Sequence, residues 1–398
     1  MSYPTLRLKS GRERPIVAGH PWVFSGAFQA IPATLQAGEV VDLVSAGGAF
    51  VARGYLNPHI SLAFRALTQE PEEAIDQEFF DRRIRAAAAL RASLAHQGTN
   101  AYRLVHAEGD CLPGLIVDRY DRWLVVQIHT AGMERQRDAV IEALRRAVTP
   151  DGILLRNDIG VRGREGLAVG EIEVAWGTVP EEITIEEGGI RYHVDPYHGQ
   201  KTGFYLDQRD KRARIREHAT TAASLLNLFA YSGAFALAGL AANPSLRTVN
   251  VDASKAALDL ARRNYTLNGR AVAAHEFVAA DVVAFLKEQT QQDAHWDIVV
   301  VDPPAYAKSL DNKNRALYGY ETLNTLAARA VAPGGLLLTC SCTGVIDMGE
   351  FEAVVHKAFL HARRRSQVIA AFTLSLDHPT LLGFAEDRYL KALLLRVR

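Results

Sequence analysis

Beyond about residue 190 the chain alternates two patterns. Short runs that are apolar almost throughout occur at 225–229, 248–251, 276–278, 298–301 and 335–339. Between them, apolar positions recur at helical spacing over 235–242, 255–268, 282–288 and 320–332. Apolar strands joined by helical crossovers predict a parallel sheet covered on both faces. Two late runs, 368–374 and 389–397, have no strong crossover helix between them, which suits an antiparallel hairpin at the sheet edge. The expectation is an α/β, Rossmann-like unit with a seven-stranded, mostly parallel sheet.

The earlier residues read differently. Short alternating runs between Gly and Pro, such as EVVDLV at 39–44 and AFVARGY at 49–55, predict a small β-barrel. A polar linker, QEPEEAID at 69–76, leads into a helix over 79–94. Runs at 115–120 and 123–128 flank Asp121 and Arg122 as a hairpin, followed by a helix over 133–148 and a strand over 152–156. Three domains are expected: 1–70, a β-barrel; 71–185, a small α/β unit; and 186–398, the Rossmann-like sheet.

The 398 residues are too many for one ordinary domain, and 48% hydrophobic content fills such cores. With 45 basic and 45 acidic side chains, global charge neither supports nor excludes a nucleic-acid partner. Locally, residues 1–65 carry Arg7, Lys9, Arg12, Arg14, Arg53 and Arg65 against Glu13, Glu39 and Asp42. Three cysteines make no disulfide framework, and no Cys/His cluster has metal spacing, so no metal is expected. The N-terminal stretch lacks the apolar core of a leader, and no apolar run reaches membrane-spanning length. A reduced, cytoplasmic enzyme is expected.

Candidate chemistry gathers at the strand ends, where such sheets keep it. The first strand runs into a tight turn at Gly233, without a full dinucleotide fingerprint. The next three end at Asp252, Asp281 and Asp302, the last followed by Pro303 and Pro304. This set suits S-adenosylmethionine better than NAD: Asp252 for the ribose hydroxyls, Asp281 for the adenine amine. The competing role is helix capping, plausible above all for Asp252, which precedes Ser254 and a helix. The fifth strand ends in LLLTCSCTG at 336–344. Its cysteines, Cys340 and Cys342, are expected on opposite faces of the strand.

Several longer stretches carry a resemblance. They are HPWVFSG at 20–26, GYLNP at 54–58, YRLVHAEGDCLPGLIVD at 102–118, GQKTGFYLDQR at 199–209, NLFAYSG at 227–233, DPP at 302–304 and SCTG at 341–344. In this order they resemble the large-subunit ribosomal RNA methyltransferase I family of cytosine-5 methyltransferases, nearly end to end. The resemblance implies an N-terminal PUA domain, a middle domain and a catalytic domain that uses S-adenosylmethionine. It implies Cys342 as nucleophile and Asp302 as its catalytic partner. It places Gln200, Thr202, Phe204, Asn227, Phe229, Ser232, Gly233, Asp252, Ala253, Asp281, Asp302 and Pro303 about the cofactor. Pro304, Tyr306, Lys201, Arg209, Arg7, Arg12 and Arg14 fall to the RNA, with Arg53 and Arg65 as further candidates. Cys340 becomes a packing cysteine.

The chain departs from the family's pattern at Thr343, and at Ala305, where the family usually has Lys; Lys308 follows three residues later. The implied partner is 23S rRNA, naked or in an early assembly intermediate, with a homodimer left open and no membrane. Two rival readings remain: a methyltransferase forming 7-methylguanine, and an RNA-binding assembly factor without activity.

Overall fold

A computed structural model describes residues 3–307 and 309–398. Lys308 lies outside the described residues. The chain divides into two compact units: 1–188 with 194–206 and 376–387, and 189–193 with 207–375 and 388–398.

In the first unit, β1 (Thr5–Arg7), β2 (Trp22–Val23), β3 (Glu39–Val44), β4 (Phe50–Leu56) and β5 (Phe64–Thr68) form a sheet in the order β1-β3-β4-β5-β2. A bridge between Leu8 and Phe28 joins the chain just past β1 to the chain just past β2. The two ends of the sheet therefore meet, as a barrel requires. A second sheet holds β6 (Ala101–His106), β7 (Leu115–Tyr120), β8 (Trp123–Ile128), β9 (Gly152–Arg156) and β10 (Ile172–Gly177). The helix Gln77–Leu90 starts where Asp76 accepts the Phe79 amide at 3.0 Å. The expected helix over 133–148 is two, Ala131–Arg135 and Arg137–Val148, broken at Gln136.

The two sheets share a core. Tyr55 of β4 is buried among residues of the second sheet and donates its hydroxyl hydrogen to the Pro113 carbonyl at 2.6 Å. A Cβ on Gly132 would lie 1.9 Å from the Tyr55 ring, so only glycine fits beneath it. Arg65 pairs with Glu165 at 2.6 Å, both buried.

Two further strands, β11 (Ile183–Glu187) and β12 (Ile190–Val194), carry the chain onward. The second unit is built on β13 (Ser224–Leu228), β14 (Arg247–Asp252), β15 (Glu276–Ala279), β16 (Trp296–Val301), β17 (Val331–Ser341), β18 (Ser366–Phe372) and β19 (Lys391–Val397). Their order is β15-β14-β13-β16-β17-β19-β18, seven strands as expected. The first five are parallel neighbours; β19 enters antiparallel between β17 and β18. The apolar runs become the inner strands: Leu225, Leu226, Ile298, Val299, Leu337 and Leu338 are almost fully buried. A crossover helix absent from the pattern reading, Met348–Ala362, links β17 to β18. Its start is fixed by a capping box between Asp347 and Glu350. Among the described residues, no helix is long and apolar enough to cross a membrane.

Candidate active site

The turn after β13 is tightly wound. Phe229, Tyr231 and Gly233 take positive φ of 58°, 45° and 73°. A Cβ on Gly233 would lie 3.1 Å from the Ala261 Cβ, so glycine lets the turn close on the helix Lys255–Leu267. Ser232 is buried and its carbonyl accepts from Asn264 Nδ2 at 2.9 Å. Asn227 is a core residue. Its Nδ2 donates to Asn250 Oδ1 at 3.1 Å, and Asn250 Nδ2 donates to the Tyr265 hydroxyl at 2.9 Å. This buried ladder ties β13 to β14 and to the next helix.

Asp252, half-buried at the end of β14, accepts the Tyr231 amide at 3.0 Å on Oδ2 and the Ser254 amide at 2.8 Å on Oδ1. Two amides fix the carboxylate and leave lone pairs on both oxygens, since each oxygen can accept twice. Of the two acids for which capping was the competing role, one caps a helix. Ser254 caps Lys255–Leu267, and Asp281, exposed, caps Val282–Gln291 by accepting the Ala284 amide at 2.9 Å. The capping role therefore belongs to Asp281 rather than Asp252. Ala253 is exposed beside them.

At β16, Asp302 is half-buried, and Gln208 Nε2 donates to its Oδ1 at 2.8 Å. Pro303 is buried and Pro304 exposed. The Pro303 carbonyl receives the Cys342 thiol at 3.7 Å. The expectation that the two cysteines face opposite sides is overturned. Residues two apart on a strand share a face. Ser341 and Thr343 turn together to the Tyr320 hydroxyl, which meets Thr343 Oγ1 at 2.8 Å. Cys340 and Cys342 turn together to the other side. Depth separates them instead. Cys340 is fully buried, which pushes its thiol well up, with the Asp302 charge adding to the effect. Cys342 stands just past the strand and is partly exposed. A thiolate forms more readily where water and a cation can reach it.

That cation was invisible in the sequence pattern. Lys391 lies opposite Ser341 on β19, is 2% exposed, and donates to the carbonyls of Thr343 and Tyr389, both at 2.8 Å. Burial lowers its pKa to about 8, against the charges of Cys342, Asp347 and Glu350, which hold the proton on. Gln208 was likewise missed, although it lies in a motif the sequence singled out.

Other expected residues sit as follows. Tyr306 packs on Tyr320 at 4.7 Å between ring centroids and against Gly319, and its amide donates to Thr343 Oγ1 at 3.1 Å. It lines an open cavity of about 470 Å³ with Asn312, Arg315 and Gly319. Arg209 is buried at the start of the helix Arg209–His218. Gln200, Lys201, Thr202 and Phe204 belong to the first unit. There Thr202 is buried, with its hydroxyl on Asp118 at 2.5 Å and on Tyr120 at 2.9 Å, and Phe204 is buried too. Lys201 is exposed over the Tyr205 ring. Arg7, Arg12 and Arg14 are exposed. Arg53 and Arg65 are not open to RNA as expected: they are buried and paired with Asp42 and Glu165. No metal-ligating cluster occurs among the described residues.

The chain is similar to known proteins over nearly its whole length. Residues 6–69 match the model of a PUA-like domain, and residues 102–365 that of an S-adenosylmethionine-dependent methyltransferase. A "Ribosomal RNA large subunit methyltransferase I" from Photobacterium profundum is 40% identical over 97% of this chain and 98% of its own. One of the same name from Klebsiella pneumoniae is 37% identical over 99% and 98%. Among solved structures, a candidate SAM-dependent methyltransferase from Streptococcus mutans superposes with a TM-score of 0.84 at 23% identity, covering 99% of this chain and 100% of that one. A methyltransferase complexed with SAH reaches a TM-score of 0.85 at 22% identity over the whole of both chains.

Proposed function

The chain belongs to the S-adenosylmethionine-dependent methyltransferases, and on that footing we propose that it methylates carbon 5 of a cytosine in large-subunit ribosomal RNA through a covalent bond to Cys342. One observation carries the proposal: a partly exposed thiol stands at the end of β17 against the Asp302-Pro-Pro turn, its sulfur 3.7 Å from the Pro303 carbonyl. The name shared by relatives 37–40% identical supports ribosomal RNA as the substrate class.

The residues present fit the cofactor. Asp252 offers fixed lone pairs to the ribose hydroxyls, Asp281 has a second oxygen beyond its cap bond, and the backbone is tightly turned at Phe229, Tyr231 and Gly233. When bound, S-adenosylmethionine supplies the methyl group that carbon 5 takes up.

The protein's own residues do the rest. Carbon 5 of cytosine is a poor nucleophile. A Cys342 thiolate adding to carbon 6 turns the ring into an enamine and gives carbon 5 its electrons. Lys391 Nζ, on the carbonyl of Thr343 next in the chain to Cys342, brings a positive charge near that thiolate. Asp302 hydrogen-bonds the ring nitrogen that gains a proton, and Gln208 fixes the carboxylate for it. A base, water at the open site, takes the carbon-5 proton. That electron pair re-forms the carbon 5–carbon 6 double bond and expels Cys342 as thiolate, and the ring nitrogen gives its proton back. The target base leaves its stack to reach Cys342. The segment 1–70 grips the RNA.

Two measurements test this. Nucleosides digested from ribosomal RNA treated with the purified chain should contain new 5-methylcytosine. A product of 7-methylguanine would overturn the thiol mechanism, because guanine N7 is already nucleophilic and needs no thiol. Asp252→Ala removes a charge-assisted contact, about 1.5–3 kcal/mol, and should weaken S-adenosylmethionine roughly 10- to 150-fold in calorimetry. Unchanged binding would displace Asp252 from the cofactor site. No binding by the wild-type chain would favour an assembly factor without activity.

A further inference from the structure

The first unit holds a cavity of about 460 Å³ walled by Arg12, Pro15, His20, Trp22, Phe24 and Gly26 among others. That is the size of an ordinary small-ligand pocket. Its walls are held firmly. Trp22 Nε1 donates to Glu108 Oε1 at 2.8 Å, and the indole packs edge-on against Phe384 at 4.6 Å. His20 also packs edge-on against Phe384, at 5.3 Å, and its Nδ1 accepts the Trp22 amide at 3.2 Å. Phe24 does the opposite of a core residue: it is 53% exposed. The turn Ser25–Ala27 keeps it there, through Ser25 N–H to the Ser61 carbonyl at 2.8 Å and Ala27 N–H to the Phe24 carbonyl at 2.9 Å.

The surroundings are basic. Lys9 Nζ sits on the Gly26 carbonyl at 2.9 Å, Arg12 is in the wall, and Arg7 and Arg14 are exposed on the neighbouring segments. Of the nearby acids, Glu108 is buried on Trp22 Nε1, Glu13 is half-buried and Glu386 lies 3.3 Å from His20 Nε2. A fixed, displayed aromatic ring beside a slot and a cluster of cations matches one chemistry above others. Single-stranded RNA offers flat bases that stack on aromatic side chains and phosphates that bind Arg and Lys. A paired duplex offers no free base face to the slot.

We propose that this cavity captures one unstacked nucleobase of the RNA substrate, outside the catalytic unit, with flanking phosphates on Arg7, Lys9, Arg12 and Arg14. The inference rests on the reading that the substrate is RNA. It makes Phe24 and Trp22 the stacking residues and turns a general basic face into a site for one splayed nucleotide.

The test uses the full chain and a ten-nucleotide single-stranded RNA carrying one 4-thiouridine, alongside the same sequence in a duplex. Irradiation followed by mass spectrometry should place the cross-link on Phe24 or Trp22 for the single strand. Phe24→Ala should weaken single-strand binding roughly 5- to 150-fold, the span of one base–aromatic stack. Because Phe24 is largely exposed, the variant should keep its fold, read by an unchanged melting profile. Leu360→Ala, an exposed leucine on the helix Met348–Ala362, serves as the matched control and should leave RNA affinity as it was. Unchanged affinity in Phe24→Ala, cross-links only at other residues, or equal binding of the duplex would overturn the proposal. Pocket cross-links without any methylated nucleoside would uphold the pocket and overturn the proposed reaction. Methylated product with no effect at Phe24 would do the reverse.

Discussion

Cys342→Ala should abolish methyl transfer, by roughly 10⁴-fold or more, as loss of a covalent nucleophile does elsewhere. Cofactor binding should persist, because Asp252 and the turn after β13 are untouched. RNA carrying 5-fluorocytosine should trap the wild-type chain as a stable adduct, since fluorine cannot leave as the proton does. Cys340→Ala should cost about 1 kcal/mol of packing and little activity, as deletion of a small buried group does. Cys340 lies within β17 and Cys342 just past its end on the same side, so this pair of variants tests depth, not direction. Lys391→Met removes the cation near the thiolate and should shift the pH–rate profile of adduct formation upward. An adduct in Cys342→Ala, or its loss in Cys340→Ala alone, would assign the chemistry to the wrong sulfur.

The second large effect is expected at Asp302. Asp302→Ala removes the group that stabilises the ring nitrogen in the covalent intermediate, and kcat should fall by about 10²–10³ at saturating RNA. Gln208→Ala leaves the carboxylate in place but unanchored, so its loss should be smaller. Gln208→Glu sets a second carboxyl beside Asp302 and favours a shared proton, which should show as a shifted pH profile. Unchanged kcat in Asp302→Ala would remove it from the chemistry.

The sheet was legible because its inner strands are apolar on both faces, a pattern few other elements share. The late hairpin was legible too: 368–374 and 389–397 became β18 and β19 at the expected edge. The helix Met348–Ala362 was missed although its signals were present, with Asp347 and Glu350 as a capping box and Phe351, Val354, Val355 and Phe359 on its buried side. The helix Lys313–Ala330 begins seven residues before the expected start; its opening residues Lys313, Asn314 and Arg315 are polar and carry no apolar signal. At the site, the strand-end acids could be placed from the pattern of strands, while the choice of Cys342 over Cys340 came from the resemblance. Gln208 and Lys391 could not. Each reaches the site from an element far along the chain, and nothing in a lone Gln or Lys signals burial. The facing of the two cysteines failed for a plainer reason: alternation puts neighbours, not next-neighbours, on opposite sides.

The antiparallel insertion of β19 has a consequence for how the second unit comes apart. β18 pairs with nothing but β19 among the described strands, and Lys391, at the start of β19, is one of the groups that hold the loop bearing Cys342, beside Tyr320 and Tyr306 on Thr343. Peeling β19 away therefore frees β18, uncovers the edge of β17 and loosens the thiol loop in one event. These parts form a single cooperative opening unit. Native-state hydrogen exchange should report one shared opening free energy for the amides of β18 and β19, below that of β13 and β16 at the centre of the sheet, and the reactivity of Cys342 toward a thiol reagent should rise with the same opening.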